Sequence, residues 1–175
     1  MPTTPFPSVA ELLPHRGPAV LLDRVLAHDE RETVCLVRVD ASALFAREDG
    51  SVPAWIGLEY MAQTIAAHGG LLDRRLARPP RPGLFLGSRR LTFAADRFER
   101  GAMLRAHARP VRGAAASGSL AGGSRMMAFE CALHAGDADS ERPDVLVSGI
   151  LNVYLVDDLE ALHAQAPGRP DDVAD

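Results

Sequence analysis

The chain has 175 residues, 47% of them hydrophobic and 24% charged, and a formal net charge of −4 at pH 7. This length and composition are typical of one globular domain and exclude a disordered chain, and the acidic balance argues against a nucleic-acid-binding surface. All 19 basic residues are arginine, which excludes lysine Schiff-base chemistry and a phosphate loop that depends on lysine.

The first predicted element is a short helix over Ser8–Leu13, with Ser8 and Glu11 as a capping box. Two apolar runs separated by a charged tripeptide then predict a pair of strands, Ala19–His28 and Glu32–Val39. A polar loop over residues 40–52 is expected to follow these strands.

The longest helical signal begins at Pro53, a residue suited to a first helical turn, and runs to about Asp73. Its sequence is apolar on nearly every side, which is typical of a helix that is enclosed on every side. Because one small sheet cannot cover such a helix, we expect a second subunit to close it. Residues 76–83 are rich in proline and predict a loop.

Four further strands are predicted after this loop: Leu84–Phe93, Ala102–Arg112, Arg125–His134 and Val145–Tyr154. Residues 157–175 are acidic and are expected to form a tail beyond a single domain of residues 1–156. One long helix among antiparallel strands predicts an α+β architecture in which a curved sheet wraps round the helix, the hotdog fold.

The two cysteines, Cys35 and Cys131, lie in separate apolar runs, which predicts buried free thiols rather than a zinc or redox pair. None of the six histidines has metal-ligand spacing, so no metal site is expected. The sequence shows neither a signal peptide nor an apolar run of about 18 residues that would form a transmembrane helix. We therefore expect a cytoplasmic protein without membrane contact.

Glu59 is the only ionisable acid in the apolar segment of residues 52–67, and Gln63 projects from the same helix face one turn later. Apolar surroundings raise the pKa of a carboxyl group, and a raised pKa suits a general acid near neutral pH. The alternative is a glutamate in the first helical turn that faces solvent or stabilises the helix dipole.

The helix opens with Ala54, Trp55, Ile56 and Gly57, whose backbone N–H groups lack intrahelical partners and can polarise a carbonyl oxygen. Gly57 has no Cβ, which would let a substrate lie close, although close helix packing would require the same residue. His15 lies between two prolines at a helix-to-strand corner. This rigid position suits either a fixed imidazole or a histidine that bonds only to its own loop.

Three segments resemble the 3-hydroxyacyl-[acyl-carrier-protein] dehydratases of the hotdog superfamily: LPHRGPAVLLDRVL (13–26), VPAWIGLEYMAQ (52–63) and LGSRRLTFAADRFERGAML (86–104). The first two together are most similar to the subgroup from aryl-polyene and related gene clusters. The familiar dehydratases of this superfamily carry Gly-His-Phe-Pro-Gly about fourteen residues ahead of the glutamate, and the histidine of that motif is the base. The matching segment here, ALFAREDG, has Phe45 at the equivalent spacing and no histidine.

The resemblance implies elimination of water from a 3-hydroxyacyl thioester held on the phosphopantetheine of acyl carrier protein, with no other cofactor. Glu59 would be the acid, and His15 would be the candidate base, able to reach the pocket across a dimer interface. The implied substrate-binding residues are Gln63, Trp55, Ile56 and Gly57. The expected partners are acyl carrier protein and a second hotdog subunit, identical or different.

Two other functions stay open at this point. A hotdog acyl thioesterase would use Glu59 to activate water, and a non-catalytic subunit would complete a heterodimer with a fuller dehydratase. Six arginines without an acid among them predict a docking surface for the acidic carrier protein, unless they only reflect an arginine-rich coding bias; they are Arg74, Arg75, Arg78, Arg81, Arg89 and Arg90.

Overall fold

The computed structural model of the protein describes residues 6–40, 44–78, 81, 83–111, 125–136 and 144–156. The predicted acidic tail, residues 157–175, lies outside the described residues. The helices are α1 (Val9–Leu12) and α2 (Gly57–Arg75), and single 3₁₀ turns span Gly17–Ala19 and Ala54–Ile56. The strands are β1 (Arg24–His28), β2 (Thr33–Arg38), β3 (Val52–Pro53), β4 (Gly83–Phe93), β5 (Arg97–Phe98), β6 (Met103–Pro110), β7 (Arg125–Ala135) and β8 (Val145–Leu155).

Six strands form one antiparallel sheet in the order β1-β2-β6-β7-β8-β4, and β3 pairs with β5 as a separate two-stranded ribbon. Helix α2 packs across one face of the sheet, against β2, β6 and β7. Alternate strand residues point toward the helix, and those on the central strands, such as Leu104, Leu133 and Leu151, are fully buried. The predicted α+β arrangement of one long helix on an antiparallel sheet is confirmed.

The start of each helix differs from the prediction. Ser8 precedes α1 but its side chain makes no capping hydrogen bond, and Glu11 instead pairs with Arg74 at 3.2 Å. The predicted capping box is therefore wrong, because the glutamate is taken by a cation on α2. Pro53 belongs to β3 and not to the first helical turn, and the chain makes a 3₁₀ turn before α2 begins at Gly57.

Helix α2 is not enclosed on every side by its own chain. The residues of its outward stripe remain half-exposed, namely Leu58, Glu59, Ala62, Ala66 and Gly69. The edge strand β4 also exposes large apolar side chains, among them Phe85 at 47% and Leu86 at 54%. An exposed apolar edge strand is a surface that proteins normally cover or pair.

Cys35 and Cys131 are both buried free thiols, as predicted, and burial raises the pKa of each to about 12. No helix among the described residues is long and apolar enough to cross a bilayer. Within the same residues, no cluster of three or more acidic, histidine or cysteine side chains could hold a metal ion.

Candidate active site

His15 and Glu59 come together within one chain, with Nε2 of the imidazole 3.4 Å from Oε1 of the carboxyl group. His15 lies on the loop after α1, and Glu59 lies in the first turn of α2. The expectation that His15 would reach the pocket across a dimer interface is therefore wrong. Their side chains are 33% and 40% exposed, so this chain alone gives Glu59 less burial than the sequence predicted.

Gln63 holds this pair in place. Its Nε2 donates to Glu59 Oε1 at 2.9 Å and to the Ala19 carbonyl at 2.7 Å, while its Oε1 accepts the Leu21 N–H at 2.9 Å. The residue is completely buried. Gln63 lines neither of the two cavities beside the pair and its amide is used within the protein, so substrate contact by Gln63 stays a prediction. It is a positioning residue that ties the loop after α1 to the helix.

Two cavities meet at the pair. The first, about 310 Å³, lies at the start of α2 and has mainly apolar walls, which include Leu21, Leu44, Phe45, Trp55, Ile56 and Leu58. The second, about 130 Å³, runs along the outward stripe of α2 and is closed on the other side by Phe85, Val153 and Leu155. His15 and Glu59 line both. Apolar walls with a few convergent polar groups are typical of a small-molecule site.

The second cavity ends at an ion pair. Arg81 Nη2 lies 2.9 Å from Asp73 Oδ1 near the C-terminal end of α2, and the aspartate is almost completely buried. The cavity therefore offers a polar end beyond an apolar stretch.

The N–H groups at the start of the helix are only partly available to a substrate. The Ala54 N–H donates to the Asp96 carbonyl at 3.0 Å, and the Gly57 N–H donates within the 3₁₀ turn to Ala54. The 3₁₀ turn over Ala54–Ile56 directs the Ile56 N–H at the Pro53 carbonyl, whereas the Trp55 N–H has no hydrogen bond among the described residues. Of the four predicted donors, Trp55, which lines the first cavity, is therefore the one that the described residues leave for a carbonyl oxygen.

Gly57 serves packing rather than substrate approach. A Cβ at this position would lie 2.6 Å from Leu133 Cδ1 and 3.2 Å from Phe98 Cζ, both in the core. Its prediction as a substrate-binding residue is wrong, because it faces the sheet. Trp55 lies at the mouth of the first cavity, 59% exposed, with its ring edge-on to Phe45 at a centroid distance of 6.3 Å.

A buried histidine network was missed by the sequence analysis. Thr33 Oγ1 lies 2.7 Å from His28 Nδ1 and 2.8 Å from His68 Nδ1. Burial lowers the pKa of both imidazoles, that of His68 to about 4, and a smaller lowering comes from Arg75 at His28 and from His28 at His68. Thr33 lies on β2 and His68 lies on α2, so the network fastens the helix to the sheet. Neither histidine lines either of the two cavities.

The six predicted docking arginines differ in their surroundings. Arg74 pairs with Glu11, Arg81 pairs with Asp73, and Arg90 lines a separate cavity. The three others are exposed and form no ion pair with an acid among the described residues: Arg75, Arg78 and Arg89. Docking of the carrier protein stays a prediction, and these three arginines are the ones available for it: Arg75 at the end of α2, Arg78 just after it and Arg89 on β4.

Solved structures of known proteins share this fold. A chain of the dehydratase heterocomplex ApeI:P from Xenorhabdus doucetiae aligns with a TM-score of 0.76 and 24% identity, covering 93% of this chain and 99% of that one. A hypothetical thioesterase with coenzyme A from Streptococcus pneumoniae aligns with a TM-score of 0.52 and 9% identity, covering 76% and 84%. A thioesterase family protein from Silicibacter pomeroyi gives 0.52 and 10%, covering 79% and 87%. The hotdog fold is confirmed.

Comparison of the sequence with protein families gives a more specific result than the shared fold does. A comparison with functionally curated proteins gives no match. The sequence model of the ApeP-like family, described as ApeP dehydratase, matches residues 7–164. That span includes the loop with His15, the helix with Glu59 and Gln63, and the whole described sheet. The chain that brings this acid and this imidazole together belongs to the ApeP-like dehydratase family.

Proposed function

We propose that this chain catalyses the elimination of water from a 3-hydroxyacyl thioester on acyl carrier protein, which gives the trans-2-enoyl thioester. The observation that carries the proposal is the 3.4 Å contact between His15 and Glu59 where two cavities meet. The dehydratase family supports the class of reaction.

The pair can supply both proton transfers. Neutral His15 takes the C2 proton through Nε2, the C–H electrons form the C2–C3 double bond, and the C3–O bond breaks. Protonated Glu59 gives its proton to the leaving hydroxyl, which departs as water. The imidazolium and carboxylate that result lie within direct reach of each other, so one proton passes back from His15 to Glu59 and restores both groups.

The N–H group of Trp55 supports the same step. Charge develops on the thioester oxygen when the C2 proton leaves, and donors that are already oriented stabilise such charge without reorganisation. The acyl chain would occupy one of the two apolar cavities and the pantetheine arm would occupy the other.

The second candidate is a non-catalytic subunit. Phe45 stands where the resemblance places the catalytic base, and its side chain lines the first cavity. The half-exposed stripe of α2 and the apolar edge of β4 support a second hotdog subunit as partner, and the similar ApeI:P structure is a heterocomplex. In this alternative, the reaction takes place on residues of the other subunit.

The deciding experiment uses the purified chain, alone and with a second dehydratase subunit, on a 3-hydroxyacyl carrier protein analysed by mass spectrometry. Formation of enoyl product that is lost in Glu59→Gln supports catalysis by this chain. Product formed only with the other subunit, and unaffected by Glu59→Gln and His15→Ala, supports the non-catalytic alternative. Release of free acid would identify a thioesterase.

A separate experiment tests whether the carrier protein docks on the exposed arginines at and just after the end of α2. Arg75 and Arg78 are exposed there, next to the second cavity, and complementary charge mainly raises the association rate. The double variant Arg75→Glu, Arg78→Glu should slow association at low salt. Arg100→Glu, an exposed arginine on another loop, is the matched control. Equal rates for all three proteins would reject this docking surface.

A further inference from the structure

A third cavity lies on the face of the sheet opposite α2. Leu104 and Ala106 of β6 and Leu133 of β7 are buried toward the helix, so their chain neighbours point the other way. These outward side chains line a cavity of about 680 Å³, here called the outer groove, whose charged and histidine residues are Arg90, Arg105, His107, Arg109, Glu130 and His134. Neither His15 nor Glu59 lines it.

The outer groove is cationic, and its side chains are held in place. Glu32 Oε1 accepts hydrogen bonds from His107 Nδ1 at 2.7 Å and from Arg109 Nε at 2.9 Å. The ring of His134 packs edge-on against His107 with a centroid distance of 4.7 Å. Three arginines face two glutamates here, Glu32 and Glu130, although the chain as a whole has a formal charge of −4.

Arg105 contributes an unused donor. Its Nε is buried and has no hydrogen-bond partner among the described residues. Leaving a buried donor of a charged group without an acceptor is costly, and each such group in a native structure calls for an explanation. Arg105 also lines the outer groove, which places its guanidinium group to bind an anion there.

Arg90 is brought to the groove by strained backbone. It has φ +53° and lies in a break of register between Arg89 and Thr92 of β4. Gly149 on β8 makes room for this bulge, because a Cβ there would lie 3.2 Å from Leu91 Cα. Bulges re-aim side chains, and positive φ in a non-glycine residue concentrates at functional sites.

We propose that the outer groove binds a small organic phosphate through the guanidinium groups of Arg90, Arg105 and Arg109. A planar guanidinium matches two phosphate oxygens at once. The small residues Ala132 and Ser148 on the groove floor leave room, and the volume is that of a site for a ligand larger than inorganic phosphate. The site is separated from the His15–Glu59 pair by the sheet, so it stands independently of the proposed dehydration.

The test is calorimetric titration of the full chain with inorganic pyrophosphate at constant ionic strength. We expect saturable binding to one site, weakened at least about tenfold by Arg105→Gln and by Arg90→Gly, since each removes a charge-assisted contact. Arg24→Gln on β1 is the matched control, because Arg24 is exposed and paired with Asp23 away from the groove. Its affinity should equal that of the wild type.

The Arg90 variant separates binding from folding. Glycine adopts φ +53° without strain, so Arg90→Gly should keep the wild-type melting temperature or raise it while its affinity falls. Absence of saturable binding, or equal affinities for the groove variants and the control, would overturn the proposal. Tighter binding by polyglutamate in competition with pyrophosphate would also overturn it and indicate an acidic polypeptide instead.

Discussion

Replacement of Gln63 by leucine tests whether this residue positions the reacting pair or contacts substrate. The variant keeps a side chain of similar size in a completely buried site but removes three hydrogen bonds, to Ala19, Leu21 and Glu59. At about 1 kcal/mol for each bond, with a further cost for groups left unpaired, the free energy of unfolding should fall by roughly 2–4 kcal/mol. Typical domains have about 5–15 kcal/mol, so the variant should remain folded.

The assay pairs urea unfolding with kinetics on a 3-hydroxyacyl carrier protein. Because Gln63 ties down the loop that carries His15, its loss should loosen that loop and lower kcat. Because Gln63 lines neither cavity, KM should change little. Thr64→Val is the matched control. Thr64 is equally buried, and its hydroxyl bonds to the Tyr60 carbonyl of its own helix and to the Cys35 thiol, so about 1–2 kcal/mol should be lost and kcat should be retained.

Two outcomes would refute this reasoning. A kcat that falls no further in Gln63→Leu than in Thr64→Val would mean that Gln63 supports only the fold. A rise in KM with unchanged kcat would mean that the residue binds substrate, as the sequence alone predicted.

Glu59→Gln keeps the shape of the side chain and removes its transferable proton, so turnover should fall by about 10²–10⁴-fold with an unchanged circular dichroism spectrum; near-normal turnover would remove Glu59 from the mechanism. His15→Ala should reduce turnover over the same range with a similar melting temperature, whereas full activity with a lower melting temperature would make His15 a loop support. His68 has its pKa lowered from 6.5 to about 4, so the unfolded chain binds this proton first as the pH falls. Stability should therefore decrease from pH 6.5 to 4, by up to about 3 kcal/mol. Urea unfolding across this range measures the decrease; His68→Gln should flatten it, and an equal slope in that variant would exclude His68 as its source.

The sequence by itself determined the elements and the two candidate reacting groups. Apolar periodicity and turn residues are local signals, which is why helix α2 and the four long strands after it were predicted, the strands with ends close to those observed and the helix with a start at Pro53 instead of Gly57. A lone acid in an apolar helix is also visible locally, so Glu59 could be singled out. His15 came from its position between prolines and from the family resemblance.

Only the tertiary structure decided that His15 and Glu59 meet, that Gln63 holds them in place and that Gly57 packs against the sheet. Gln63 bonds to residues more than 40 positions away, and His107 bonds to Glu32 at a separation of 75. The direction in which Gly57 faces depends on how α2 lies on the sheet. Such contacts depend on strand order and on packing between layers, in which β2 lies beside β6. Helical and strand periodicities describe one element at a time and therefore carry no information about these partners.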